Sequence, residues 1–572
     1  MTPLDYAARA DLLIDNVRVV DVLCGTIRQG CVAVKDGRIL GYARREADRI
    51  YDGQGRFLMP GLIDSHVHIE SSMLSPAGFA AMLLPLGTTT VVADPHEMTN
   101  VSGEDAVLGL IDAARHLPLS IKVMVPSCVP ALPFEDSGAV LTSEDVKRLL
   151  PFDEVLGLGE MMNYPGVLAG DEEVTAKIRA TLDLGKTVDG HAPMLTGMEL
   201  ETYAAAGIKT DHECSTPAEL RDRVSLGMYA AIRQGSAARN LLPLVPALAP
   251  ALRRRCLLCT DDRHAADTLE KGHIAAIAAL AVKAGIDPIE AVRMASLNTA
   301  ECYGMHDRGA IAPARRADLV LVEDLIDFKV KAVWTEGNLV AEDGRLTIET
   351  PQDAPGFLRN TVRIQPVTEE SFALEIPSGR ARLIGILPHN LTTVEKTADV
   401  RVREDGRMHL ADNPGMIKIA VVERHKASGK TGVALFDPAY GLKGGAIATS
   451  ISHDSHNIVV AGDSEADMAL AVNEVARLEG GIVMVKEGRV VARLELPVAG
   501  LMSDKRPEEV AAKIRELTAL AHDTFGITKE ADAFMTLSFM ALPVIPHLKL
   551  TARGLFDVTR FRFVSSDLSS DA

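Results

Sequence analysis

The sequence predicts an α/β protein: a (β/α)8 TIM-like barrel, framed by a small composite β-sheet domain and followed by a C-terminal α+β domain. Three observations carry this expectation. The chain has 572 residues, enough for several cores, one of which can be a barrel of about 250 residues. Eight short apolar runs, each followed by Ala/Leu/Glu-rich sequence of helical pattern, fill residues 59–304, and such alternation is the signature of repeated βα units and a parallel sheet. Two β-rich stretches of similar texture flank that region.

Taken in order, the first stretch, residues 1–58, holds short segments (Val17–Val22, Cys31–Val34, Ile39–Gly41) broken by turns such as Asp36–Gly37 and Gly53–Gln54–Gly55, as expected of a small sheet. The same texture returns in residues 305–350, at Asp318–Val322 and Ala332–Leu346 with a turn at Asp343–Gly344. The two stretches are expected to pair, which makes the region between them an insertion. Its eight runs are Leu62–His66, Thr89–Ala93, Ile121–Val125, Val155–Gly159, Thr187–Asp189, Ile208–Thr210, Tyr229–Arg233 and Arg255–Cys259. A linker-like segment, Pro351–Gly356, opens the third region, residues 351–572, which mixes strands (Ile417–Val422, Ile458–Val460, Ile482–Lys486) with helices (Glu465–Leu478, Pro507–Leu520).

Composition narrows the function. Hydrophobic residues at 47% and charged residues at 24% fit a folded soluble chain. The balance of 60 Lys+Arg against 78 Asp+Glu, a formal charge of −18, is the wrong sign for a broad nucleic-acid or anionic-lipid surface, so a small-molecule substrate is expected, with no nucleic acid. No apolar run has the length of a membrane span: Leu241–Leu252 is broken by prolines, and Lys283 ends the stretch from Ile274. Met1–Asp11 carries Asp5, Arg9 and Asp11 without an apolar core, so no secretory signal is expected. Seven cysteines suggest no disulfide framework; Cys256 and Cys259 read as part of a buried strand. A cytoplasmic location is expected.

Chemistry of a barrel sits at the carboxyl ends of its strands. The first run ends Asp64–Ser65–His66–Val67–His68–Ile69–Glu70, and period-two alternation points His66 and His68 the same way. By itself this pair is modest evidence, since core or solvent-facing histidines share the pattern. Four other runs, however, also finish in a ligand-type residue: Glu160, His191, His212 and Asp261. Four imidazoles and two carboxylates suit Zn, Mn or Fe, and six such donors with a bridging carboxylate suffice for two ions.

In this pattern the sequence resembles the amidohydrolase superfamily, with its His-x-His on strand one, bridging ligand on strand four, His on strands five and six, and Asp on strand eight. In detail it resembles the adenine deaminase family. The resemblance rests on Pro60–Gly61–Leu62–Ile63–Asp64–Ser65–His66–Val67–His68–Ile69–Glu70–Ser71–Ser72, Asp94–Pro95–His96–Glu97, Gly159–Glu160–Met161–Met162–Asn163, Asp189–Gly190–His191–Ala192–Pro193, Thr210–Asp211–His212–Glu213, Thr260–Asp261–Asp262 and, near the C-terminus, Ser452–His453–Asp454–Ser455–His456–Asn457. Many binuclear members of the superfamily bridge their metals with a carboxylated lysine; Glu160 stands there instead, as the closer resemblance implies.

The resemblance implies a metal-dependent hydrolase acting on the C–N bond of a cyclic amidine: hydrolytic deamination of adenine to hypoxanthine and ammonia by a metal-activated hydroxide, in purine salvage. Two divalent ions are expected, Mn or Fe first and Zn as an alternative. Glu160 and Asp261 are the candidate catalytic residues, Asp261 passing a proton to the departing amine. The donor of the ring proton is left open between Glu97, Glu213 and other carboxylates. Asp94 and His96, spaced to share a strand face, could bind a third metal or the purine, or could orient a ligand as a hydrogen-bonding pair. The Ser450–Asn457 loop reads by itself as a turn or helix cap; the resemblance adds His453 and Asp454 to the residues for substrate or a further metal. His273, His306 and His425 have no partner at a recognisable spacing and read as structural or exposed. The zinc-deaminase signature with its P-C-x-x-C is absent. A homodimer is expected. The alternative activity is hydrolysis of another aminopurine or a cyclic amide, because ligand geometry fixes a nucleophile and not its target. A non-catalytic scaffold would have lost ligands, and all six positions are filled.

Overall fold

The structure is a computed structural model and describes residues 9–236, 238–354 and 356–571. Most of Met1–Asp11, where the sequence suggests no secretory signal, lies outside the described residues. The described chain forms two compact units: one of residues 9–95, Val107–Ser127 and Thr142–Ala354, the other of His96–Ala106, Cys128–Leu141 and residues 356–571.

In the first unit all eight apolar runs contribute to parallel strands: β1 (Leu62–Val67), β2 (Thr88–Ala93), β3 (Ser120–Val125), β4 (Val155–Met161), β5 (Thr187–Gly190), β6 (Thr210–Asp211), β7 (Tyr229–Arg233) and β8 (Cys256–Cys259). Strands β1 to β5 pair in sequence order, as do β6 to β8. A parallel bridge between Val67 and Asp261 brings the end of β1 beside the end of β8, which curls the arcs towards a barrel. The strands are nearly continuous apolar runs because helices such as Glu172–Asp183 and Ile274–Lys283 leave neither face wet. Cys256 and Cys259 are free thiols buried in β8.

The flanking β-rich stretches form one nine-stranded sheet. Its seam is Phe57–Pro60, parallel to Ala10–Asp21 on one side and antiparallel to Leu319–Val322 on the other. Asp36 and Gly37 both take positive φ (48° and 71°), as do Asp343 and Gly344 (47° and 77°). Paired positive φ suits the tight hairpin turn whose twist matches the strands, and Asp–Gly is its favoured sequence. Trp334 is buried against Tyr51, edge to face at 4.9 Å.

The second unit is built on an eight-stranded mixed sheet whose interior strands include Ile417–Val422, Gly445–Thr449, Ile458–Gly462 and Gly481–Lys486. Helix Glu465–Arg477 starts where the Ser464 hydroxyl accepts the Asp467 N–H at 3.3 Å, the usual way of satisfying an orphan amide. Its Met468, Ala471, Val472 and Val475 recur at helical spacing and enter the core beside the sheet. Among the described residues no helix is long and apolar enough to cross a membrane.

Candidate functional site

The six donors expected at the barrel mouth do come together. Each lies within two residues of a strand's carboxyl end: His66 and Glu160 are the penultimate residues of β1 and β4, and His68, His191, His212 and Asp261 follow β1, β5, β6 and β8. His68 Nδ1 lies 2.9 Å from the Asp94 carbonyl oxygen; it donates there, which turns the Nε2 lone pair inward. That Nε2 stands 3.5 Å from Glu160 Oε1 and 3.3 Å from Asp261 Oδ1. His66 Nε2 is 3.6 Å from the same Asp261 oxygen. On the other side, Glu160 Oε2 faces His191 Nδ1 at 2.7 Å and His212 Nε2 at 3.1 Å. The rings of His66 and His212 stack at 4.1 Å.

Glu160 therefore presents one oxygen to each half of the cluster. Donor atoms of His66, His68 and Glu160 lie within 4.8 Å of one another, as do those of Glu160, His191 and His212 and those of His66, His212 and Asp261. Among the described residues His66 Nε2 is buried without a hydrogen-bond partner, an expensive state for a polar atom that a metal ion would relieve. The residues fit a pair of divalent cations.

Charge points the same way. Burial disfavours ionised Glu160, but His191 and His212 outweigh it and hold the carboxyl well below its usual range. Asp261 is likewise held low against burial by His66, His68 and Arg233. Burial opposes a proton on His212, yet its bond to Glu160 and the surrounding carboxylates lift it to about 9; His68 is raised in the same contest. Burial, reinforced by His212, pushes His66 down. Anionic carboxylates thus recruit protons to imidazoles where divalent cations would take their place.

Glu213 joins this group, its Oε1 3.6 Å from His191 Nδ1. Asp94 Oδ2 accepts the Glu160 N–H at 2.8 Å. The expectation that Asp94 and His96 share one strand face is corrected: β2 stops at Ala93 and a helix begins at His96, because Pro95 has no N–H to continue a ladder. In the second unit Glu97, His453 and His456 gather, with His453 Nδ1 3.5 Å and His456 Nε2 3.8 Å from the Glu97 carboxylate, and Asp454 Oδ1 is 3.8 Å from His453 Nδ1.

Sequence reasoning missed two features. Arg233 donates to Asp261 Oδ2 at 3.0 Å and grips Glu213 through both terminal nitrogens, one at 2.8 Å. It ends an apolar run just as the donors do, and that position was the available signal. His273 is buried and faces Asp64 at 3.2 Å, a pairing across the chain that no local pattern announces.

Comparisons with known proteins identify the family. Residues 57–340 match the amidohydrolase family and residues 390–562 match the adenine deaminase C-terminal domain. An adenine deaminase of Nitratidesulfovibrio vulgaris is 52% identical over 558 residues, covering 98% of this chain and 96% of its own. Adenine deaminases of Clostridium acetobutylicum (43% over 556 residues, 97% of each chain) and Ligilactobacillus salivarius (40% over 574 residues, 99% of this chain and 98% of its own) are similar throughout. Such identity along the full length of both partners places the chain in the adenine deaminase family of amidohydrolases.

Proposed function

We propose that this chain hydrolyses adenine to hypoxanthine and ammonia, with His66, His68, Glu160, His191, His212 and Asp261 holding two divalent metal ions. The observation that carries the chemistry is Glu160, whose two oxygens face separate sets of imidazoles at 3.5 Å and at 2.7–3.1 Å. The substrate rests on the full-length similarity to adenine deaminases. When bound, the ions bring the pKa of a water molecule down towards neutrality.

The chain's own residues supply the rest. Asp261, kept ionised by its neighbours, takes a proton from the attacking water and delivers it to the departing amine. Arg233 aligns Asp261 and Glu213 with charge-assisted hydrogen bonds, and Glu213 is the barrel carboxylate we assign to the purine ring. Asp94 orients Glu160 through its backbone. Imidazole and carboxylate donors suit Mn or Fe, with Zn acceptable. The reaction fits purine salvage.

The test is to strip the purified protein with chelator, reload it with Mn²⁺, Fe²⁺ or Zn²⁺, and follow ammonia release and the ultraviolet change to hypoxanthine. Metal-dependent turnover of adenine, with adenosine inert, is expected. His66→Ala and Asp261→Ala should abolish it while leaving the circular dichroism spectrum intact. Near-normal activity in either variant would overturn the assignment of the site; preference for another aminopurine or a cyclic amide would overturn the substrate.

A further inference from the structure

Asp64 sits within β1 and is wholly buried. Its carboxylate gathers four donors. The Thr260 N–H reaches Oδ1 at 3.1 Å and the Thr260 hydroxyl reaches Oδ2 at 2.5 Å. The His66 N–H approaches Oδ1 at 3.4 Å, and His273 Nε2 lies 3.2 Å from Oδ2. One side chain thereby ties the end of β1, which carries His66, to the end of β8, which carries Asp261.

That tie falls where the backbone needs it. Asp261 takes φ 57°, the left-handed region that side-chain-bearing residues seldom occupy. Two anchors flank the turn: the Asp261 N–H donates to the His66 carbonyl at 3.0 Å, and the preceding Thr260 is held at both its N–H and its hydroxyl by Asp64. His273 is in turn fixed by Thr88, whose hydroxyl is 2.8 Å from Nδ1. A nitrogen facing a carboxylate carries the proton, so Nε2–H donates to Asp64 and Nδ1 accepts from Thr88. Burial, which pushes the His273 pKa down, keeps this a neutral imidazole with one assigned tautomer.

We infer that Asp64 is a positioning residue for the reaction: through Thr260 it sets the conformation in which Asp261 meets the metal donors, and His273 holds Asp64 in the orientation that does so. The inference rests on the role proposed above for Asp261. In Asp64→Asn the amide oxygen can still accept from the Thr260 and His66 N–H groups, but an NH₂ at the Oδ2 position reverses the bonds there, so that the Thr260 hydroxyl must accept and His273 must take its other tautomer, and the charge-assisted hold on both is lost.

Thr260→Val, which removes the hydroxyl and keeps the branched shape, tests this alongside Thr260→Ser, Asp64→Asn and His273→Phe. Four quantities are read: metal retained per chain after dialysis against a weak chelator, kcat and KM for adenine with Mn²⁺, and the Tm of the metal-free protein. Thr260→Val, Asp64→Asn and His273→Phe should each lower kcat or metal retention by about 10–100-fold, the usual cost of removing a group that orients a ligand, with KM little changed. Thr260→Ser should recover most of the loss, and the metal-free Tm of Thr260→Val should fall by only a few degrees, the cost of one buried hydrogen bond. Wild-type kcat and metal retention in Thr260→Val would overturn the inference. So would a loss matched by a larger fall in metal-free Tm and not recovered by serine, which marks a purely structural role. Full activity in Asp261→Asn would instead strike the reading of Asp261 itself.

Discussion

Arg233 grips both Asp261 and Glu213 at the barrel mouth, and it is largely buried. A buried guanidinium is tolerable only because both carboxylates are within hydrogen-bonding distance, and removing one partner of such a group typically costs about 3–5 kcal/mol. The consequence differs between metal-free and metal-loaded protein, since divalent cations would take over part of the neutralisation. Arg233→Met should destabilise the metal-free protein by about 3 kcal/mol in urea unfolding, and Mn²⁺ should narrow that gap. It should also lower kcat by tenfold or more, as Asp261 loses one of its anchors. Equal destabilisation with and without metal would show that Arg233 has no share in the charge balance of the site.

Among the barrel strands, β4 shows how an element makes room for such contacts. Strand β4 ends Gly157–Leu158–Gly159–Glu160, and a Cβ placed on Gly159 would lie 2.2 Å from Asp94 Oδ2. Only glycine lets that carboxylate reach the Glu160 N–H. Gly159→Ala should push Asp94 aside and leave the amide unsatisfied, a cost of about 1–3 kcal/mol, and isothermal titration should show weaker Mn²⁺ binding; unchanged affinity would refute the link from Asp94 to Glu160. The strand ends were legible in the sequence because a histidine or carboxylate closing an apolar run stands out against its neighbours. The sixth run was displaced, read as Ile208–Thr210 but paired only from Thr210, opposite Tyr229. Asp94–His96 failed as a strand pair because Pro95 outweighs the alternation. The Asp64–Thr260 tie could not be read at all: its partners lie 196 positions apart, and neither residue type announces the other. Arg233 was passed over because arginine is no metal ligand, although its position carried the same signal as the donors.

Across the whole molecule, the formal charge of −18 makes every additional buried anion harder to sustain. In the second unit two adjacent carboxyls respond in opposite ways. Asp136 pairs with Lys430 at 2.7 Å and with Arg553 at 2.9 and 3.1 Å, and these cations hold it low against its partial burial. Among the described residues Glu135 has no such cation: its Oε2 accepts the Leu132 N–H at 2.9 Å, while burial and the charge of Asp454 push its pKa up to about 8. In the unfolded chain Glu135 ionises near 4.5, so between that pH and about 8 the folded protein holds a proton that the unfolded chain has lost. Stability from this group is therefore complete below about pH 4.5 and is lost as pH rises to about 8. At about 1.4 kcal/mol per pH unit, the whole window is worth a few kcal/mol. Glu135→Gln remains neutral throughout and should escape this loss. Its unfolding midpoint in urea should match wild type near pH 4.5 and exceed it progressively up to pH 8–9, with the gap constant beyond. Parallel midpoints for the two proteins across that range would mean that Glu135 ionises in the folded unit as freely as in water.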